Sequence, residues 1–299
     1  MPNYNHAPYL RERIDSILAQ TIQDMEVILL DDCSQDNSME ILRAYEHHPK
    51  VSHLVRNEVN SGSTFLQWQR GFSMAQGEYI WIAESDDVAE PTFLEESLQR
   101  LERDKTIQMT FSRSMYVNAK GEKMSGSPDG RNMYSGNGMY DGHCFAVQRM
   151  LYRDVIYNAS MVVFRKSVLE KVPTDFVTYR SSGDWVFWFD VMIQGRVAEI
   201  PLVLNRFRQH EGKVTVKAVR EGRNIEENAR CVRHMCSKLH LTALQMTCLR
   251  GRMTLRFRKK QFPDKQRVKC SYPELYDGTL WDILVYELDK WFHFSGMLR

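Results

Sequence analysis

The chain lacks any run of about 18 apolar residues, so no membrane-crossing helix is expected. Its six cysteines are scattered along 299 residues, with no CxxC pair and no zinc-like spacing to histidine. Free thiols in a reducing compartment are therefore expected. No secretory signal pattern opens the chain, and no repeat or low-complexity tract breaks it. Net charge is only +2, from 40 basic and 38 acidic residues, which gives no whole-chain reason to expect a nucleic-acid partner. These absences predict a cytoplasmic protein, peripheral at most to the inner face of a membrane. What remains is ordinary, with 43% hydrophobic and 26% charged residues. A chain of this length buries a sizeable core without disulfide or metal staples.

Short apolar runs alternate with helical stretches. Helical periodicity covers 9–19, with Leu10, Ile14, Ile17 and Leu18 on one face, and recurs over 38–45, 64–75 and 92–103. Between these lie strand-like segments at 26–30, 51–55, 79–83 and 108–111. Such alternation predicts a mostly parallel sheet with helices on both faces, and ligands outside the carboxyl ends of its strands. Two of the strands end in acid: one in Asp31-Asp32, the other in Glu84-Ser85-Asp86-Asp87. Both clusters should reach the same sheet edge. Carboxylates there are hard oxygen ligands suited to Mg²⁺ or Mn²⁺, ions that hold phosphates and offset charge on a leaving diphosphate.

The second half is less regular. Residues 120–142, rich in Gly, Ser, Asn and Asp, read as a long loop. A strand over 156–164, a short helix over 165–172 and a strand over 197–204 follow. Gly183-Asp184 precedes the apolar run 185–193, which leaves Asp184 as a helix cap or a functional carboxylate. From about 219 the pattern is helical and charged. Nine basic residues between Arg250 and Lys269 face a single acid, Asp264. They form either a basic segment that touches anionic lipid or a solvated helix face, and the neighbouring Met253, Leu255, Phe257 and Phe262 make no clean helical stripe.

Five motifs occur in a familiar order: Pro2-Asn3-Tyr4-Asn5, Asp31 to Asp36, Gly77 to Asp87, Gly183-Asp184-Trp185, and Arg208-Gln209-His210. Over residues 1–215 the chain resembles the family 2 glycosyltransferases of the GT-A fold. The resemblance implies a GT-A-like, Rossmann-like α/β domain over 1–215 and a mostly helical C-terminal extension over 216–299. It implies inverting transfer of a sugar from a nucleotide diphosphate, UDP-linked, to an acceptor hydroxyl of a surface polysaccharide or lipid-linked oligosaccharide. Pro2, Asn3 and Tyr4 would line the nucleotide pocket, Asp31 would hold the strand end, and Asp32 would meet the base. Asp86 would face ribose or metal, with Asp87 the other candidate ligand for Mn²⁺ or Mg²⁺. His210 would lie near the diphosphate or metal, and Asp184 would be the general base.

Three departures from the family pattern carry expectations of their own. An apolar first strand normally precedes the Pro-Asn-Tyr-Asn motif, and here Met1 stands directly before it. A central strand is thus expected to be missing, and a non-catalytic nucleotide-sugar-binding protein is the alternative. Glu84 stands where the family often has Asp, and Gly183 where an acid commonly precedes the base. A nucleotidyltransferase would also use strand-end carboxylates, but the glycine-rich phosphate loop it needs is absent.

Overall fold

The computed structural model describes residues 1–126, 138–210, 223–262 and 264–297. Its first half alternates as the periodicity predicts: β1 (Pro2–Asn3), α1 (Ala7–Leu18), β2 (Val27–Asp31), α2 (Ser38–Tyr45), β3 (Val51–Arg56), α3 (Thr64–Met74), β4 (Tyr79–Trp81), β5 (Val88–Ala89) and α4 (Phe93–Arg103). Then come β6 (Ile107–Val117), β7 (Met139–Asp141), α5 (Gly142–Gln148), β8 (Val162–Arg165), α6 (Gly183–Met192) and β9 (Arg196–Arg208). The C-terminal helices are α7 (Arg223–Lys238), α8 (Ala243–Lys259), α9 (Lys265–Ser271), α10 (Pro273–Tyr276) and α11 (Leu280–Phe292).

The strands form two sheets. β1, β2 and β3 are parallel neighbours, as are β6 and β9, while β8 runs antiparallel between β4 and β6. The expected missing strand is represented by two residues. Pro2 and Asn3 pair with Leu30 and Asp31, and the Met1 nitrogen donates to the Ile28 carbonyl at 2.7 Å. Most of the predicted loop at 120–142 lies outside the described residues.

Three elements differ from expectation, each for a local reason. β6 runs six residues past the predicted 111 because its polar continuation finds partners inside the sheet. Arg113 pairs with Glu199, and Asn205 donates to the Ser114 hydroxyl at 2.9 Å. Hydropathy alone stops where Ser112 begins. The strand expected over 156–164 is only Val162–Arg165, preceded by a 3₁₀ turn at Ala159–Met161 that carries Asn158 and Ser160 toward the acids. The short helix expected at 165–172 is also a 3₁₀ turn, Lys166–Glu170.

α6 is buried almost all round, with Val186, Phe187, Trp188 and Phe189 inaccessible to solvent. A helix apolar on every side belongs inside a protein. It lies in one continuous core that joins Phe65 and Trp68 of α3 to Val232 and Met235 of α7 and Phe257 of α8. The C-terminal helices therefore share the main core. Of the four apolar members of the basic run, Met253 and Phe257 are buried in that core, while Leu255 and Phe262 are half-buried. α11 carries several exposed large apolar side chains, among them Trp281, Leu284, Leu288 and Trp291.

Candidate active site

The acidic strand ends come together, but from two sheets rather than from the single sheet edge expected: β2 lies in the first sheet and β4 in the second. On the β2 side, Asp31 is fully buried and accepts from the Asn3 side chain at 2.7 Å, the Ser34 amide at 2.9 Å and the Ser34 hydroxyl at 2.5 Å. Its role is structural: it ties β1 to the turn after β2, which presents Pro2, Asn3 and Tyr4. Pro2 and Asn3 are buried, whereas Tyr4 is 45% exposed at the mouth of the site. Asp32 accepts from Asn57, the Ser61 amide and Gln67 on one oxygen, and from the Ser61 hydroxyl on the other. A carboxylate has about four lone-pair positions, so Oδ2 keeps the remaining acceptor capacity.

On the β4 side the acids crowd together. The Asp86 carboxylate lies 3.0 Å from His210 Nε2. Ligand atoms of His6, Asp86 and His210 all lie within 4.8 Å of one another. His6 Nδ1 bonds the Ser85 hydroxyl at 2.8 Å, and the His6 and His210 rings meet edge to face at 5.3 Å. Tyr9 packs against His210 at 5.4 Å. One carboxylate and two imidazoles with open positions suit a first-row divalent ion such as Mn²⁺ better than Mg²⁺, which prefers an all-oxygen shell.

Asp87 stays out of this group. Its oxygens accept from Asn158 at 2.7 Å and from the Arg208 amide at 3.1 Å, and it is fully buried. Burial first, and Asp86 second, push its carboxyl up to about 6. Glu84 is also turned away from the imidazoles: the Trp68 indole N–H donates to it at 2.9 Å. Burial, and after it Asp86, raise Glu84 to about 8, so at neutral pH it is mostly protonated. The longer side chain reaches Trp68 rather than His6 or His210.

Two buried arginines accompany the acids. Arg13 of α1 lies beneath them, facing Ser160 and the Trp81 ring; burial pulls it down to about 10 while Asp87, Asp86 and Glu84 oppose that fall. Arg208 donates to the Asp86 carbonyl at 2.8 Å, to the Asn118 and Ala119 carbonyls and to Glu12 at 2.6 Å. The residue two before His210 thus fixes the backbone of Asp86.

Asp184 is the second residue of α6. Its carboxylate accepts from the Trp185 amide at 2.9 Å, and burial raises it to about 6. Asp154 lies close enough for Asp184 to help push it well above the usual carboxylate range, after burial. Gly183 is required by close approach, since a Cβ there would lie 2.5 Å from the Phe176 carbonyl and 2.7 Å from the Phe65 ring. That explains the missing acid before Asp184. The preceding turn is held from α7: Glu227 accepts from the Arg180 amide at 2.7 Å, the Ser181 amide at 2.9 Å and the Ser181 hydroxyl at 2.6 Å.

Sequence reasoning missed His6, Arg13, Asp154 and Glu227. Of these, only His6 carried a local signal, as a histidine immediately after the Pro2–Asn5 motif.

The profile of the family described as "Glycosyl transferase family 2" matches residues 1–172. The chain belongs to that family. Among curated members, it is 38% identical over 102 residues to glycosyltransferase GlyG of Streptococcus pneumoniae serotype 4, which covers 34% of this chain and 34% of GlyG. The matched stretch spans only 12% of the chondroitin synthase of Pasteurella multocida, at 34% identity over 122 residues and 40% of this chain. The glycosyltransferase fold is likewise that of S. aureus TarS, solved with UDP-GlcNAc, at a TM-score of 0.65 and 17% identity over 99% of this chain and 90% of that one. A mannosyltransferase from Pyrobaculum calidifontis, solved with GDP-Man and Mn²⁺, matches at a TM-score of 0.50 and 16% identity over 97% of this chain and 86% of that one.

Proposed function

We propose that this family 2 glycosyltransferase transfers a sugar, with inversion, from a UDP-linked donor to an acceptor hydroxyl of a cell-surface polysaccharide or lipid-linked oligosaccharide. The observation that carries the reading is the His6, Asp86 and His210 group where the acidic strand ends come together. A divalent ion bound there, Mn²⁺ by donor chemistry, would offset charge on the leaving diphosphate.

The chain's own residues supply the rest. Pro2, Asn3 and Tyr4 shape the nucleotide pocket, and Asp32 Oδ2 accepts from the base. Asp31 acts on that pocket through Asn3 and Ser34. Asp86 serves metal or ribose. A sugar hydroxyl is a poor nucleophile, so a carboxylate must take its proton as the bond forms. Asp184, raised to about 6, is still mostly ionised at neutral pH and close enough to it to be an efficient base.

In this reading residues 1–215 carry the donor and metal groups. Residues 216–299 are a helical extension whose Glu227 sets the turn before Asp184. The reaction runs in the cytoplasm, at the membrane's inner face if the acceptor is lipid-linked. Among the described residues no helix is long and apolar enough to cross a membrane.

The test is thermal stability with UDP, GDP, dTDP and CMP, each with and without Mn²⁺. A ligand at about 100 times its Kd adds ~2.7 kcal/mol, which at this size moves Tm by about 4 °C. A Mn²⁺-dependent shift with UDP is expected. No shift with any nucleotide would overturn the reading.

A further inference from the structure

α11 is built inside out. Its two aspartates face the protein. Asp282 is buried and accepts from the Thr279 amide at 2.7 Å, the Thr279 hydroxyl at 2.8 Å and Arg250 at 2.6 Å. Asp289 is buried and accepts from the Ser295 amide at 2.8 Å and the Ser295 hydroxyl at 2.7 Å. On the opposite side Trp281, Leu284, Leu288 and Trp291 form one exposed stripe at helical spacing. A surface helix normally shows the reverse, apolar side in and charges out. The two tryptophans are 66% and 79% exposed, and more than half of the exposed large apolar side chains among the described residues fall within 280–294. A monomer in water rarely leaves such a patch open.

The free charges beside the stripe are of one sign. Asp277 is paired with Lys269 and Glu287 with Lys290, so among the described residues no carboxylate from 277 onward lacks a partner. Arg258, Lys259 and Lys260, at the end of α8, are exposed and have no carboxylate partner among the described residues. α8 runs antiparallel to α11: Gly251 packs against the Asp282 carbonyl, and Gln245 donates to the Ser295 carbonyl at 3.2 Å. The three cations therefore lie past the N-terminal end of the stripe. Lys269 first, and Arg258 after it, hold the nearby Asp277 carboxyl below its usual range.

An apolar stripe flanked by cations, with no free acid, complements a surface that is anionic outside and apolar beneath. A second copy of this chain would bring the same cations and no carboxylate to meet them. Trp281 and Trp291 stand ~15 Å apart at the two ends of the stripe, and amphipathic rings of this kind favour the depth of lipid headgroups. We propose that α11 lies flat on an anionic bilayer, its stripe entering the headgroup–acyl boundary and Arg258, Lys259 and Lys260 meeting the headgroups. The basic run then supplies charge, and α11 supplies the apolar anchor.

Under the proposed function, on which this step alone rests, the same helices serve the acceptor. Arg252 and Arg256 of α8 donate to the Tyr152 carbonyl, and Trp185, beside Asp184, donates to the Met150 carbonyl at 2.9 Å. The lipid-facing helix pair is thus tied to the turn that packs against the proposed base.

The test is co-sedimentation of the full chain with vesicles of phosphatidylcholine and phosphatidylglycerol in equal parts, and with phosphatidylcholine alone. Binding to the mixed vesicles, with a blue shift of tryptophan fluorescence, is expected. R258Q/K259Q/K260Q should weaken that binding about 100-fold and change little on phosphatidylcholine. W281S/W291S should weaken binding by about tenfold or more on the mixed vesicles. Both variants alter exposed side chains and should keep the parent's Tm. No binding of the parent to mixed vesicles would overturn the proposal, as would undiminished binding by W281S/W291S. So would a dimer in solution that W281S/W291S turns into monomers, since a second copy would then cover the stripe. No readout involves a nucleotide, so lipid docking can fail while the donor reading stands.

Discussion

The acids after β2 and those after β4 look alike in sequence and do opposite work. Asp31 and Asp32 are held by the protein's own donors, with acceptor capacity left on Asp32 Oδ2. Asp86, Asp87 and Glu84 are packed against one another, and Asp86 raises the other two. A carboxylate that accepts several hydrogen bonds stabilises a fold, whereas carboxylates forced together store repulsion that a cation relieves. Under the proposed function, the contrast sets a hydrogen-bonded nucleotide side against a charge-crowded metal side.

The sharpest way to break the comparison is Asp86→Asn. It should cost activity by about 10⁴-fold, or ~5 kcal/mol of transition-state stabilisation, and abolish the Mn²⁺-dependent thermal shift. Without metal, the variant should be no less stable than the parent, because the repulsion of Glu84 and Asp87 is gone. A large loss of apo stability would show Asp86 to be scaffold. Next is Asp184→Asn, expected to lower kcat about 10³-fold while donor affinity holds. In the parent, activity should fall tenfold per pH unit below about 6 as the base becomes protonated. A kcat profile flat from pH 5 to 8 would remove Asp184 from that role.

Asp32→Ala works in the other direction. It strands donors on Asn57, Ser61 and Gln67 and should cost about 3 kcal/mol in urea unfolding. The smallest effect belongs to Glu84→Gln. Folding raises Glu84 from 4.5 to about 8, so the stability it contributes is complete below pH 4.5 and lost as pH rises through 8. The Gln variant, which keeps an acceptor for Trp68, should gain stability on the parent at pH 9 in EDTA and nothing at pH 4. Equal curves at both pH values would mean Glu84 is ionised in the fold.

Much of this was legible in the residues. The limits of α2 follow from its N-terminal Asp36–Ser38 turn and its apolar face, and the strand-end acids follow from where the β-prone runs stop. Asp86 and Asp184 stood out because polar residues beside apolar runs demand a reason, whereas His210 was implied only by the resemblance to the family. His6 did not, since it gains meaning only when α1 brings it beside Ser85 and His210. Arg13 carries no signal of its own in the sequence, yet it is fully buried, because the acids that face it lie far along the chain. Asp87 could not be separated from Asp86 by sequence, for only the placement of Asn158 and the Arg208 amide decides which of two neighbours is occupied.

The shared core has a consequence for anyone preparing this protein. The sequence invites a cut near residue 215, where the family resemblance ends. Such a fragment would leave Phe187, Trp188 and Phe189 of α6 without α7 and α8, and would release the Arg180–Ser181 turn from Glu227. It should be recovered from the insoluble fraction, and co-expressing 216–299 as a separate chain should bring it back into solution.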